Sequence, residues 1–260
     1  MSGNTVKRPH VPTTGYLETN MTDKVNYLEL RPDEFRERVG KRPVAYLPLG
    51  TIEWHGRQNP LGGDALISTA LFERAARRFG GIVFPPLFLG PDRIRQEQDG
   101  SMLQGMDYAE DVTVPPQQLY GSCYWVNTGL FMQIVEAVIA QAARAGFKCL
   151  VADGHGPSRG HFCANAEGWE KQYGIRLIGA RYNMEDGWAT QMDHAARNET
   201  SLLMAAHPDL VDLDVLSTDR SDWPLGVGGE DPRDSTAQYG EELIEKSLTL
   251  IGRAFDRLSV

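Results

Sequence analysis

The sequence predicts an α/β layered fold around a largely parallel sheet, and three observations carry that expectation. Short apolar runs alternate with stretches of helical periodicity, the pattern of strand and helix taken in turn. The hydrophobic share of 41% and charged share of 23% are those of a chain that buries a real core. No internal repeat, low-complexity tract or linker divides the 260 residues, so one domain over 24–260 is expected, preceded by a tail over 1–23.

The run Val44-Ala45-Tyr46-Leu47-Pro48-Leu49 before Gly50 reads as a buried strand. A helix over 65–79 follows, with Leu66, Ala70 and Leu71 and the group Arg74, Arg77 and Arg78 at helical spacing, stopped by Gly80 and Gly81. The next strand is expected at 82–87. From 91 to 120 the chain is polar and without clear period, which marks a functional loop or an oligomer contact. A helix over 128–145 carries Leu130, Ile134, Val135, Val138 and Ile139 on one stripe and ends at Gly146. The strand at 148–152 runs into Asp153-Gly154-His155-Gly156-Pro157. Then come a helix from about 159 to 173, a strand at 175–180, a helix from about His194 to 206 ended by Pro208, and a last helix over 235–258.

Charge narrows the function. Lys and Arg number 26 against 35 Asp and Glu, a formal net charge of −9, and no basic cluster is present. Nucleic-acid binding and attraction to an anionic membrane surface are both disfavoured. No stretch approaches the roughly 18 apolar residues of a membrane helix, and the start of the chain resembles neither a signal peptide nor an anchor. Cys123, Cys149 and Cys163 are widely spaced and odd in number, as reduced thiols in a cytoplasmic protein are. Gly226-Val227-Gly228-Gly229 matches neither a P-loop nor a dinucleotide fingerprint.

The densest chemical signal is Gly50-Thr51-Ile52-Glu53-Trp54-His55-Gly56, followed by Pro60-Leu61-Gly62-Gly63-Asp64. Glu53 and His55 are two apart, so in extended chain both project to one side, just past the carboxyl end of a strand where open α/β sheets place ligands. A carboxylate and an imidazole converging there suit zinc, manganese or iron. Asp64, immediately before a helix, reads either as a further ligand or as an ordinary N-cap. His155, in a turn flanked by glycines after another strand, reads either as a ligand or as a histidine bonded to a carbonyl. Glu199, near the start of a helix, reads as a ligand or as a partner of the helix dipole.

Taken together, these blocks resemble the creatininase (creatinine amidohydrolase) family. The resemblance rests on the two blocks above, on Gly146-Phe147-Lys148 with Asp153-Gly154-His155-Gly156, on His194-Ala195 with Glu199-Thr200-Ser201, and on Gly229-Glu230-Asp231-Pro232 with Ala237 and Gly240. It implies a three-layer α/β/α sandwich, a cyclic homo-oligomer, commonly a hexamer, and two divalent metal ions per chain. Carried over by position, Glu53 and His155 would hold one metal, His55 and Glu199 the other, with Asp64 bridging and His194 shuttling protons. Two departures stand out. Pro157 occupies the place of a ligand Glu found in creatininase itself, and Thr190 that of a Trp, with Trp188 nearby.

The resemblance implies hydrolysis of a small cyclic substrate at a carbonyl, with water activated between two metals about 3.5 Å apart. A cyclic amide is the first expectation. Ring opening of a cyclic diketone such as an oxidised inositol is the alternative, for which the polar stretch from Asp92 to Gln98 and Arg159 would supply partners for hydroxyls. A non-catalytic, metal-stabilised sensing oligomer is the third reading.

Overall fold

The computed structural model describes residues 24–260, and the tail expected over 1–23 lies outside the described residues. Along the chain, α1 (Pro32–Lys41) leads into β1 (Val44–Leu49), α2 (Gly63–Phe79) and β2 (Ile82–Val83). A short hairpin of β3 (Ile94–Gln96) and β4 (Met102–Gln104) follows, then α3 (Thr128–Arg144), β5 (Cys149–Gly154), α4 (Gly156–Tyr173), β6 (Arg176–Ile178), α5 (Arg197–Ala206) and α6 (Ala237–Leu258). The main sheet runs β2-β1-β5-β6 with every neighbouring pair parallel.

Side-chain alternation along these strands makes the layers. Val44, Tyr46, Cys149, Val151 and Ile178 face one side and pack with Leu71 and Phe72 of α2, Leu202 of α5 and Ile244, Leu248 and Ile251 of α6. Ala45, Leu47, Leu49, Leu150 and Ala152 face the other and pack with Phe131, Val135 and Ile139 of α3 and Phe162 and Trp169 of α4. The result is the three-layer α/β/α arrangement that the sequence led us to expect. No described helix is long and apolar enough to cross a membrane.

Of the boundaries that differ from the sequence reading, three have a clear local reason. The strand expected at 82–87 stops at Val83, because Pro85 and Pro86 offer no N–H to the ladder, and Leu87 rejoins β1 only at an isolated bridge to Leu49. The helix expected from 159 starts at Gly156, with Pro157 in its first turn, where a missing N–H is harmless. The helix expected from His194 starts at Arg197. His194 is instead paired with Gly228 through two backbone hydrogen bonds of 2.8 and 2.9 Å, and Ala195 follows in left-handed backbone at φ +55°.

The sheet order puts the site. From β1 the chain crosses to β2 on one side, whereas β5 leads to β6 on the other, so the loops leaving β1 and β5 diverge and open a crevice at their carboxyl ends. Gly154 ends β5 at φ +146°, and a Cβ there would lie 1.6 Å from the Leu49 carbonyl oxygen. Only glycine lets the two strands finish this close. Gly154→Ala is therefore expected to destabilise the protein by more than about 3 kcal/mol in urea unfolding. Gly168→Ala on α4, where a Cβ meets nothing within 4 Å, is expected to be neutral or slightly stabilising.

Candidate metal centre

The side chains singled out in the sequence meet at this crevice, delivered by four separate segments of the chain. The loop after β1 brings Glu53 and His55 and is folded back by the Glu53 N–H donating to the Leu61 carbonyl at 2.9 Å. Asp64 and Glu199 lie in the first turns of α2 and α5, where the helix dipole favours negative charge. Asp64 is not the N-cap of α2; Gly62 is. His155 directly precedes α4. None of Glu53, His55, Asp64, His155 and Glu199 is more than 3% exposed.

Their ligand atoms fall into two groups of three that share Asp64: Glu53 with Asp64 and His155, and His55 with Asp64 and Glu199. Within each group the atoms lie within 4.8 Å of one another. Asp64 turns one oxygen to each, with Oδ2 at 3.2 Å from His155 Nδ1 and Oδ1 at 3.7 Å from His55 Nε2. Glu53 Oε2 is 3.3 Å from His155 Nδ1, and Glu199 Oε2 is 3.8 Å from His55 Nε2. A third group joins Glu53, His55 and His194.

Backbone carbonyls set the imidazoles. His55 Nδ1 donates to the Glu53 carbonyl at 3.0 Å and His155 Nε2 to the Pro91 carbonyl at 3.2 Å, so each ring presents its other nitrogen to the carboxylates. Among the described residues, buried His55 Nε2 has no hydrogen-bond partner. A buried imidazole nitrogen facing two carboxylates with no partner of its own is the donor set of a cation, and nitrogen and oxygen ligands of this kind fit zinc, manganese or iron. The residues present fit the group.

Protonation follows the same geometry. Burial would lower His55, but Asp64, Glu199 and Glu53 outweigh it and push it up to about 10. His155 is raised well above the imidazole range in the same way, with burial overcome by Glu53 and Asp64. Against burial, the histidines keep Glu53 and Asp64 below their usual range. Glu199 goes the other way, pushed well up by burial with only partial relief from His55. His194 is pushed down, first by burial, with Glu53 opposing and His55 adding to the fall. Without a cation, protons on the two imidazoles and on Glu199 balance the site.

The creatininase pattern (Creatininase: Creatinine amidohydrolase) matches residues 28–255. The chain belongs to the creatininase family. A creatinine amidohydrolase of Pseudomonas putida is 27% identical over 223 residues, covering 75% of this chain and 76% of that one. A crystal structure of creatinine amidohydrolase (creatininase) superposes with a TM-score of 0.66 at 21% identity over 90% of this chain and 97% of the other. A structure described as Creatininase Mn gives 0.65 at 22% identity, over 90% and 98%.

Several neighbours of this family site were not evident in the sequence. Asp92, part of the polar stretch offered to substrate hydroxyls, is half-buried and turns its carboxylate inward, with Oδ2 3.9 Å from His155 Nε2. Burial, and then Glu53, hold its carboxyl above the ordinary range. Gly105 of the long loop lies against both Asp92 and Glu53, so that stretch covers the site instead of hanging free. Arg159 is spent internally, with Nη1 3.2 Å from Asp153 Oδ1 and Nη2 donating to the Gln191 carbonyl at 3.1 Å. Trp188 packs in the core of the α2, α5 and α6 layer, and Thr190 donates to Asp153 Oδ2 at 3.0 Å, so neither is a free aromatic wall.

A raised imidazole stabilises the folded state below its unfolded pKa, near 6.5, and loses that contribution as pH rises toward its folded value. For His55 the window runs from about 6.5 to about 10. His155 acts in the same direction, and the penalty for ionising buried Glu199 grows with pH as well. Chelated protein should therefore show a melting temperature that falls steadily across that window in scanning calorimetry. A flat profile would contradict the charge balance.

Proposed function

We propose that this chain is a metal-dependent hydrolase holding two divalent cations, zinc, manganese or iron, that opens a small cyclic substrate at a carbonyl, a cyclic amide before others. The observation that carries the reading is the sharing of Asp64 between two buried groups, one of which leaves His55 Nε2 without a partner. Family membership and the manganese relative support it. Glu53, Asp64 and His155 would hold one cation, and His55, Asp64 and Glu199 the other. When bound, such a pair supplies a Lewis acid for a carbonyl and water of lowered pKa.

The chain's own groups do the rest. Glu199, reaching in from α5, provides a carboxylate in the set that Pro157 cannot. Its Oε2 accepts the Ala195 N–H at 2.7 Å, which fixes the side chain. His194 is the proton relay. Its Nε2 donates to the Trp54 carbonyl at 2.8 Å, which leaves Nδ1 as the lone-pair nitrogen, and its lowered pKa keeps it neutral and able to accept. The ring sits 4.8 Å from that of His55, at the half-buried rim of the site. From there Nδ1 takes a proton and returns it to the leaving nitrogen of an opened amide. The cyclic-diketone reading loses one support, because Arg159 is committed to Asp153 and backbone carbonyls.

Metal-loaded protein assayed against a panel of cyclic amides and cyclic diketones tests the reading. Release of an amine or amino acid, abolished by chelation, is the expected result. His194→Asn should lower kcat by about 10²- to 10⁴-fold while leaving cation uptake unchanged. A new carboxylate without amine release, from a diketone, would replace the amidase with the ring-opening enzyme. Inertness toward the whole panel with cations bound would favour the sensing oligomer.

A further inference from the structure

Gln191 is buried, 5% exposed, and adopts left-handed backbone at φ +53°, a conformation that residues with side chains rarely take. Its side-chain amide faces Asp64 Oδ1 at 2.9 Å and the Gly154 carbonyl at 3.3 Å. Both are acceptors, so the amide presents its nitrogen to them and donates to each.

The backbone around it is clamped. Arg159 donates through Nη2 to the Gln191 carbonyl at 3.1 Å and through Nη1 to the Thr190 carbonyl at 3.4 Å. Both Arg159 and the Thr190 hydroxyl are tied to Asp153, a buried residue of β5, at 3.2 and 3.0 Å. A strained backbone held by so many long-range bonds marks a side chain whose direction matters.

We propose that Gln191 is a positioning residue for the bridging carboxylate. It pins Asp64 Oδ1, the oxygen that faces His55, and so sets cation affinity in the His55, Asp64 and Glu199 group. The Glu53, Asp64 and His155 group uses Oδ2 and is left nearly unaffected. An N–H on Oδ1 occupies one lone pair and stops rotation of the carboxylate, which leaves the second lone pair aimed at the His55 side. This inference rests on the two-cation reading above.

Calorimetric titration of the metal-free full chain with Mn²⁺ tests both and keeps them apart. Gln191→Met keeps the length of the side chain without an N–H donor. Gln191→Asn keeps an amide and tolerates left-handed backbone, but is one methylene too short to reach. The wild-type chain is expected to take up two ions. In whichever variant folds, one binding step should weaken by about 10- to 100-fold, and the other by no more than about threefold. The weakened step should be the one that Glu199→Gln also weakens. Wild-type uptake of two ions with both steps preserved in the variants, or weakened equally, overturns the role of Gln191. A wild-type chain that takes up no ion overturns the two-cation reading and this inference with it.

Discussion

Removing a carboxylate from water costs several kcal/mol unless positive charge goes with it. Glu53, Asp64 and Glu199 are buried together around two imidazoles. That cluster of negative charge is the constraint on which the architecture of the crevice depends. Two helices point their N-termini at it, through Asp64 and Glu199, and two backbone carbonyls turn the imidazoles inward. Protons can balance the charge near neutral pH, but they are lost as pH rises, and divalent cations are not.

The fold meets this constraint by convergence of distant segments. Asp64 and His155 are 91 residues apart and touch. They do so because β1 and β5 are neighbours that end within hydrogen-bond distance, the His155 N–H donating to the Leu49 carbonyl at 2.8 Å. Glu199 depends on a second set of contacts. A Cβ on Gly240 of α6 would lie 2.0 Å from the Ser201 carbonyl oxygen of α5, so the late glycine lets α6 press α5 into the crevice. Gly229 fits against Asp193 and Ala196 in the same way. The last block of the sequence thus serves the site through packing, far from any chemistry of its own.

How much of this was legible in the sequence follows from which forces are local. The strands β1 and β5 and the residues just beyond them could be read, because a buried strand is a continuous apolar run and ligands gather past its carboxyl end. Glu53, His55 and His155 stand out for that reason. The extended pairing of His194 with Gly228 could not be read, since nothing near His194 announces a partner 34 residues away. Arg159 and Asp92, which the sequence offers to substrate hydroxyls, turn inward instead, Arg159 to Asp153 and Asp92 toward His155, because their partners come from distant segments. Gln191 carries no local signal at all, because it lies in the loop before α5 and its amide meets Asp64 on distant α2.

The most direct measurement is anomalous diffraction at the metal edge from crystals grown with manganese or zinc. The account predicts two peaks per chain. One should lie about 2.0–2.3 Å from donors of Glu53, Asp64 and His155, and the other from donors of His55, Asp64 and Glu199. No peak at the crevice, or peaks that leave Asp64 unshared, would contradict it.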